Sequence, residues 1–401
     1  MLAAWTRLRK VQIVGLPLDM RFNISGQAFY VSPVGDDGAD GSRQSPWRTL
    51  RHAATQLQPN SVIYLAAGTY HGPVVVQTQA SSEAPAAIRA AEGEQVIVTY
   101  PDDFIAAEKA KVHTAPNEGR TRAMDKQGQE LHYPPLIDVR GRFVEINGLR
   151  LIGVRDRLPH NLYSENAISF SGKGGEGCRV LYNEIENVGH CGVKEMGHGG
   201  HSILIEGNLI HDVGQTHHDH GIYAPADDVA VRKNLLLNAT GYGLHAYSSP
   251  KRVVATHNIV AGNDHFGVIL AGPDALVAHN VFGSNHLGGL LFFRSGCKGC
   301  VVKNNIFYDD PAVGFDQMGD AKEAPSGNVL DHNCLVPGTH PGNMSPQDST
   351  GSRNRQADPM VMDARAFDFR LSRRSPCIDA AADVGLGFLG KAPDIGLSEH
   401  R

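Results

Sequence analysis

The sequence predicts an all-β chain wound into a parallel β-helix, with a helix capping its N-terminal end. Three observations predict this: an Asn-centred run that keeps returning, a glycine-led strand in each repeat, and a helical segment ahead of the first coils. The runs RVLYNEI, ILIEGNLI, VAVRKNLL, VVATHNIV, ALVAHNVF, VVKNNIF and NVLDHNCL place asparagines at Asn183, Asn208, Asn234, Asn258, Asn280, Asn305 and Asn333. Their spacings are 25, 26, 24, 22, 25 and 28 residues. Strand-rich repeats of this length signal a stacked solenoid, in which no repeat buries its apolar face alone. Asn suits a corner because it tolerates left-handed backbone angles and its amide can bond the adjacent coil. The second strands begin at Gly192, Gly221, Gly243, Gly267, Gly289 and Gly314. The spaced-Leu pattern of leucine-rich repeats is absent.

Segment by segment, residues 1–26 read as a poorly structured leader. Residues 27–135 hold the N-terminal cap, the first coils and an insertion. Within them, Trp47 to Leu57 places Trp47, Leu50, Ala53, Ala54 and Leu57 on one helical face. Pro101 to Pro135 lacks a strand period and reads either as a disordered insertion or as a flap over a groove. Residues 136–336 are the coils carrying the candidate site, interrupted by a short polar insertion from Arg155 to Glu165. Residues 337–401 close the C-terminal end.

The edges carry a resemblance. FYVSPVGDDGADGS…SPWRTLRHAA, from Phe29 to Ala54, and DFRLSRRSPCIDAA…DIG, from Asp368 to Gly396, resemble the N-terminal coil with its capping helix and the C-terminal closure of secreted β-helix polysaccharide enzymes. With the repeats between them, the chain resembles right-handed parallel β-helix proteins of the pectate-lyase-like superfamily. That resemblance implies an acidic polysaccharide as partner and a secreted or periplasmic location. The fold also hosts hydrolases, epimerases and non-catalytic binders.

Bulk properties narrow the classes. A net charge of −5 gives no basic footprint for nucleic acid. No stretch is long and apolar enough to span a membrane, and the chain reads as a monomer. The apolar run near the N-terminus is short and broken by Pro17 and Asp19, which does not make a signal peptide. Of six cysteines, Cys297 and Cys300 form a C-x-x-C without a second pair. Cys178 and Cys300 fall in the slot occupied by Ile203, Val229, Val253 and Ala275 in other coils, so buried structural thiols are expected.

Strand alternation selects the candidate residues. After each leading glycine come Val193, Ile222, Leu244, Val268, Leu290 and Phe315, an apolar column that faces the core. The next column therefore faces outward: Lys194, Tyr223, His245, Ile269, Leu291 and Asp316. Tyr247 lies two positions beyond His245, and Arg294 ends a neighbouring strand. His190, Asp219, His220, Asp264 and His265 sit at the corners. Titratable groups gathered in one column suggest chemistry; the alternative is solvated side chains scattered over an outer face.

Cutting a uronic acid polymer by β-elimination needs a cation at the C5 carboxylate, a base for the C5 proton and an acid for the leaving O4. The expected roles are His245 or Lys194 as base, Tyr223 as acid or as combined acid and base, and Arg294 as carboxylate partner. His220 and Asp219 orient the site, and Tyr247, His218, His265, His198 and Asp316 contact substrate. A C5-epimerase would use the same residues. A glycoside hydrolase would need paired carboxylates from Asp316, Asp219, Asp264 and Glu195. No cofactor is required by the sequence. Ca²⁺ is open through Asp219, Asp227, Asp228 or Asp264, although no known calcium loop is matched. The His-rich runs Gln215 to Tyr223 and His198 to His201 lack the H-E-x-x-H spacing of a zinc helix.

Overall fold

The computed structural model describes residues 1–10, 19–111, 126–127, 133–157, 165–172, 174–195, 200–293, 296–308, 315–318, 325–339, 349–351 and 353–400, with 315–318 and 349–350 as backbone only. The chain divides into two compact units. One comprises Arg21–Leu204 with Ile210–Tyr223. The other comprises Met1–Met20, Ile205–Leu209 and Ala224–Arg401.

Each unit is a parallel β-helix with three sheets. In the first unit, Val74–Val76, Ile137–Val139, Ile168–Phe170, Val193–Glu195 and Ile222–Tyr223 pair in that order, all parallel. A second sheet runs through Ser61–Leu65, Ala86–Ala90, Val144–Asn147 and Arg179–Leu181. A third runs through Gly68–His71, Val96–Thr99, Arg150–Ile152 and Glu184–Glu186. The other unit repeats the plan; its sheet equivalent to the first runs Leu244–Ala246, Phe266–Leu270, Gly288–Phe293 and Phe315–Met318. Each strand pairs with the strand one coil on, so one coil contributes one strand to every sheet.

The leading glycines have a steric cause. A Cβ on Gly192 would fall 2.7 Å from the Gly221 carbonyl oxygen, and one on Gly267 would fall 2.9 Å from that of Gly289. Any side chain there would push the next coil away.

The recurrent asparagines form a buried ladder. In the second unit, the backbone N–H and side-chain amide of Asn208 both donate to Asn234 Oδ1 at 2.9 Å. The same double donation links Asn234 to Asn258, Asn258 to Asn280, Asn280 to Asn305 and Asn305 to Asn333. Asn354 ends the series. Each amide from Asn234 onward also donates to a strand carbonyl, as Asn258 does to Val231 at 2.8 Å. The left-handed angle expected of the Asn belongs instead to the residue before it: Lys233 (φ 54°), His257 (58°), His279 (58°), Asn304 (63°) and His332 (57°). The ladder Asn is thus held in its position by hydrogen bonding, and the left-handed corner sits one residue upstream.

The cap is the helix Leu50–Gln56, whose Thr49 side chain accepts from the His52 N–H. It starts later than Trp47 because Trp47 is held in a β-bridge to Val31 and stacks on Phe29, with 4.8 Å between ring centroids. All five residues of the expected apolar face are buried.

The leader departs from expectation. Leu2–Arg9 is a helix that buries Ala4, Trp5 and Leu8 in a cluster with Leu235 and Ile259. Trp5 Nε1 donates to the Gly207 carbonyl at 2.8 Å. Those three residues have helical spacing and make an apolar stripe, which outweighs the charged positions between them. Phe22 is also fixed: its N–H donates to Glu145, which pairs with Arg89 on both carboxylate oxygens. In the insertion after Pro101, Asp102–Lys111 is helical, while 112–125 and 128–132 lie outside the described residues. No helix among the described residues is long and apolar enough to cross a membrane.

All six cysteines are buried free thiols. Cys297 donates to the Leu270 carbonyl and Cys300 to that of Gly272. Burial pushes the Cys178 thiol up to about 12, which keeps it protonated and unreactive.

The ladder yields a stability prediction. Asn258→Ala removes both amide donations and orphans the buried Val231 carbonyl and the donors of Asn234. Each orphaned group costs about 1–3 kcal/mol, so the denaturant midpoint should fall by an amount equivalent to roughly 3–5 kcal/mol. Equilibrium unfolding in urea measures it, and a change below about 1 kcal/mol would deny the ladder its structural role.

Candidate active site

In the first unit, Val193 pairs with Ile222 and both are buried, so Lys194 and Tyr223, paired one residue on, face outward. Both are half-buried. Lys194 Nζ stands 5.8 Å from the Tyr223 ring centroid. The His220 ring lies nearly parallel to that of Tyr223, 6.0 Å away and tilted by 17°. The column extends upstream to Ser169, which pairs in register with Lys194, and to Asp138, which pairs with Ser169; both are buried. Asp138 accepts from Arg140 Nε at 2.7 Å and from Ser171 Oγ at 2.5 Å. These two residues precede the first ladder Asn, so the repeat did not reach them.

A largely buried polar chain lies in the same coils. Asp219 Oδ2 accepts from the N–H groups of Gln215 and Thr216 and from Thr216 Oγ1, which folds the corner around it. Its Oδ1 lies 3.2 Å from His190 Nε2, and His190 Nδ1 lies 2.8 Å from Asn166 Oδ1. Beside them, Glu165 is fully buried. Its Oε1 accepts from the N–H groups of Val154 and Gly189, while Oε2 has no hydrogen-bond partner. Burial, with the nearby charge of Asp219, pushes the Glu165 carboxyl up to about 7 despite the two N–H donors. Burial also raises the Asp219 carboxyl above its usual range. Glu165 ends a segment read as a polar insertion, where only its position just before the apolar strand Ile168–Phe170 could have marked it.

His245 heads an aromatic surface in the second unit. Its ring lies 4.8 Å from Tyr242 and 5.1 Å from Tyr247. Tyr242 also meets His265 at 5.2 Å, and Tyr247 meets Phe293 at 5.5 Å. His245 pairs with Ile269, which pairs with Leu291, which pairs with Asp316, as the alternation predicted. Ile269 and Leu291 are only 2 % exposed, because Phe266 packs with them and Tyr242 and Phe293 lie against the group. Their outward position is therefore not a solvated one.

The remaining candidates divide. His218 is exposed, its ring 3.8 Å from that of His217. His198 and Arg294 lie outside the described residues, and Asp316 is described in its backbone alone. Glu195 is buried.

Three of the four aspartates considered for Ca²⁺ already hold partners, and Asp264 is exposed. One oxygen of Asp219 is occupied by three donors. Asp228 holds Arg252 through two bonds of 2.6 and 2.8 Å, and Asp227 accepts from the Lys251 N–H. The donors that could hold a cation among the described residues are Glu184, Glu186 and His211, on a different sheet.

A family model described as "Right handed beta helix region" matches residues 166–335. A "Protein of unknown function (DUF1565)" model matches residues 33–76, the cap and first coils. The structure is similar to that of pectate lyase Pel9A, with a TM-score of 0.60 across 94 % of this chain and 97 % of that one. The fold is the pectate-lyase-like right-handed parallel β-helix. At 14 % identity, this likeness carries the fold alone. A glycoside hydrolase has a TM-score of 0.56 at 11 % identity, covering 80 % of this chain and 96 % of that one. In sequence, the chain is 41 % identical over 71 residues to pectate lyase PEL9 of Emericella nidulans, or 17 % of each protein. It spans under a fifth of the length of the curated relatives it matches.

The buried carboxyl gives a pH signature. Glu165 holds its proton up to about 7 in the folded chain, against an ordinary 4.5. Between those values the folded state binds a proton that the unfolded state has released, so this group's stabilisation, present below pH 4.5, is lost as pH rises through 7. The loss amounts to about 3 kcal/mol. Glu165→Gln keeps an acceptor for Val154 and Gly189 but does not titrate. Its Tm should fall less than that of the unchanged chain between pH 5 and 8, as differential scanning fluorimetry would measure; parallel curves would contradict the buried-acid assignment.

Proposed function

We propose that this protein is a polysaccharide lyase that cleaves a uronic-acid-containing polymer by β-elimination, with Lys194 as the base and Tyr223 as the acid. The observation that carries the reading is the pair itself: two half-exposed, proton-transferring side chains in register on adjacent coils. Strands in a sheet lie about 4.8 Å apart, a distance over which one sugar ring could meet both groups. In the proposed step, the Lys194 amine takes the C5 proton. The released electron pair forms the C4–C5 double bond, the C4–O4 bond breaks, and the Tyr223 hydroxyl protonates O4.

His220 lies against Tyr223 and positions it. Arg140, upstream in the same sheet, is half-exposed, held by the buried Asp138, and able to meet a carboxylate of the polymer. The aromatic surface around His245 and Tyr247 suits stacking on sugar faces. Hydrolysis is less well supported, because Asp219 and Glu195 are buried, which leaves Asp264 as the exposed carboxylate among the candidates whose side chains are described, whereas a hydrolase must present two carboxylates to one sugar. The proposal includes export, since such polymers are met outside the cytoplasm.

Incubation with alginate, pectate, glucuronan and glycosaminoglycans, followed by ultraviolet absorbance, tests this. An unsaturated uronate product should appear with at least one polymer. Lys194→Ala should lower kcat by at least about 10³-fold and Tyr223→Phe by about 10²-fold or more, with unchanged Tm. New reducing ends without absorbance would replace elimination by hydrolysis, C5 proton exchange without cleavage would indicate epimerisation, and full activity in Lys194→Ala would reject the base.

A further inference from the structure

The third sheet carries a group of donors that the proposed reaction does not use. In Glu184–Glu186 the alternation of a strand puts both carboxylates on one face, with Ile185 buried between them. The strand Leu209–His211 follows next in that sheet and brings the His211 ring alongside. His211 Nε2 lies 3.8 Å from Glu184 Oε1 and 3.8 Å from Glu186 Oε2. The three donor atoms all fall within 4.8 Å of one another. His211 is 6 % exposed, and its Nε2 is buried with no hydrogen-bond partner.

The surroundings are organised as well. His211 Nδ1 lies 2.6 Å from Asp212 Oδ2, so the Nδ1–H donates there, and in the neutral ring the Nε2 lone pair then faces the two glutamates. Arg150 takes the other oxygen of each carboxylate: its Nε lies 2.7 Å from Glu186 Oε1 and 3.7 Å from Glu184 Oε2. The oxygens left over are the two that point at His211. A buried lone pair confronting two carboxylate oxygens is costly unless a positive charge stands between them.

We propose that Glu184, Glu186 and His211 bind a divalent transition-metal ion of the zinc class. Zinc bonds to imidazole nitrogen and carboxylate oxygen at about 2.0–2.2 Å, which sets donors in a tetrahedron roughly 3.3–3.6 Å apart. The two His211 distances of 3.8 Å close to that with shifts of a few tenths of an ångström, and the two carboxylate oxygens, within 4.8 Å of each other, close with a further turn of the partly exposed glutamate side chains. An imidazole in the set selects against Ca²⁺, which takes oxygen donors. Asp212 is the outer partner that fixes the ring and its tautomer, the usual arrangement around a metal-bound His. The glutamate side chains are about one-fifth exposed, which leaves a side open to water. The inference is independent of the lyase reading.

The test uses the full chain, stripped with chelator and titrated with ZnCl₂ by isothermal calorimetry, with circular dichroism to check each variant's fold. One equivalent should bind with a Kd in the micromolar range or tighter. His211→Ala and Glu186→Gln should weaken binding by 100-fold or more, and Asp212→Asn, at a half-exposed position, by about 10–100-fold. A double change of the exposed His217 and His218 to Ala should leave this binding intact. Absence of stoichiometric binding would mean that a proton on His211 supplies the charge and would overturn the proposal. Equal binding in Asp212→Asn and Glu186→Gln, or loss confined to the His217 and His218 variant, would overturn it too.

Discussion

A buried corner must satisfy its own polar groups, and in this protein the Asn amide does so. At every turn of the coil, the chain bends within the protein interior, where an unmet N–H or C=O costs free energy comparable to a lost hydrogen bond. The side-chain amide has one acceptor and two donors, enough to take both the N–H and the amide of one neighbouring coil and to reach a carbonyl and a ladder oxygen of others. No other side chain of that size does both. The bend is therefore built from two residues with separate tasks: a left-handed one that turns the chain and an Asn that saturates it.

Register follows from that saturation, and the candidate site follows from register. A coil that slipped by one residue would turn each apolar column outward. In the first unit Asn183 pins its own corner, accepting from the Leu149 N–H and donating to the Ile146 carbonyl; Val193 and Ile222 lie in the core, and Lys194 is set in register with Tyr223. The buried chain of Glu165, Asp219, His190 and Asn166 adds a different constraint. Its carboxyl groups hold the chain at Val154 and Gly189 and the corner at Thr216, so these loops of the first unit are tied by hydrogen bonds as well as by packing.

What could be read from sequence was whatever the repeat carried. The inward and outward columns emerged from alternation alone, and strand pairing matches them residue by residue within each unit. What escaped lay where the repeat was silent. Asp138, Ser169 and Glu165 precede the first ladder Asn. Asn354 follows a 21-residue interval in a segment that reads as loop. Alternation shows where a side chain points but not what covers it: Ile269 and Leu291 face outward as read, yet Phe266, Tyr242 and Phe293 cover them. The abundance of His has a mundane part as well: His257, His279 and His332 occupy the left-handed corner position, which His tolerates better than most side chains. The Glu184, Glu186 and His211 group spans two strands 23 residues or more apart, and only pairing brings it together.

The ladder spacing varies from 22 to 28 residues, yet the strands on either side remain in register. Length differences are therefore taken up in the outer loops, and none is passed on to the next coil. Such a scaffold separates two kinds of evolutionary change. Loops can lengthen, shorten or be replaced one coil at a time, reshaping what the surface recognises, while the amide column keeps every unaltered coil in place.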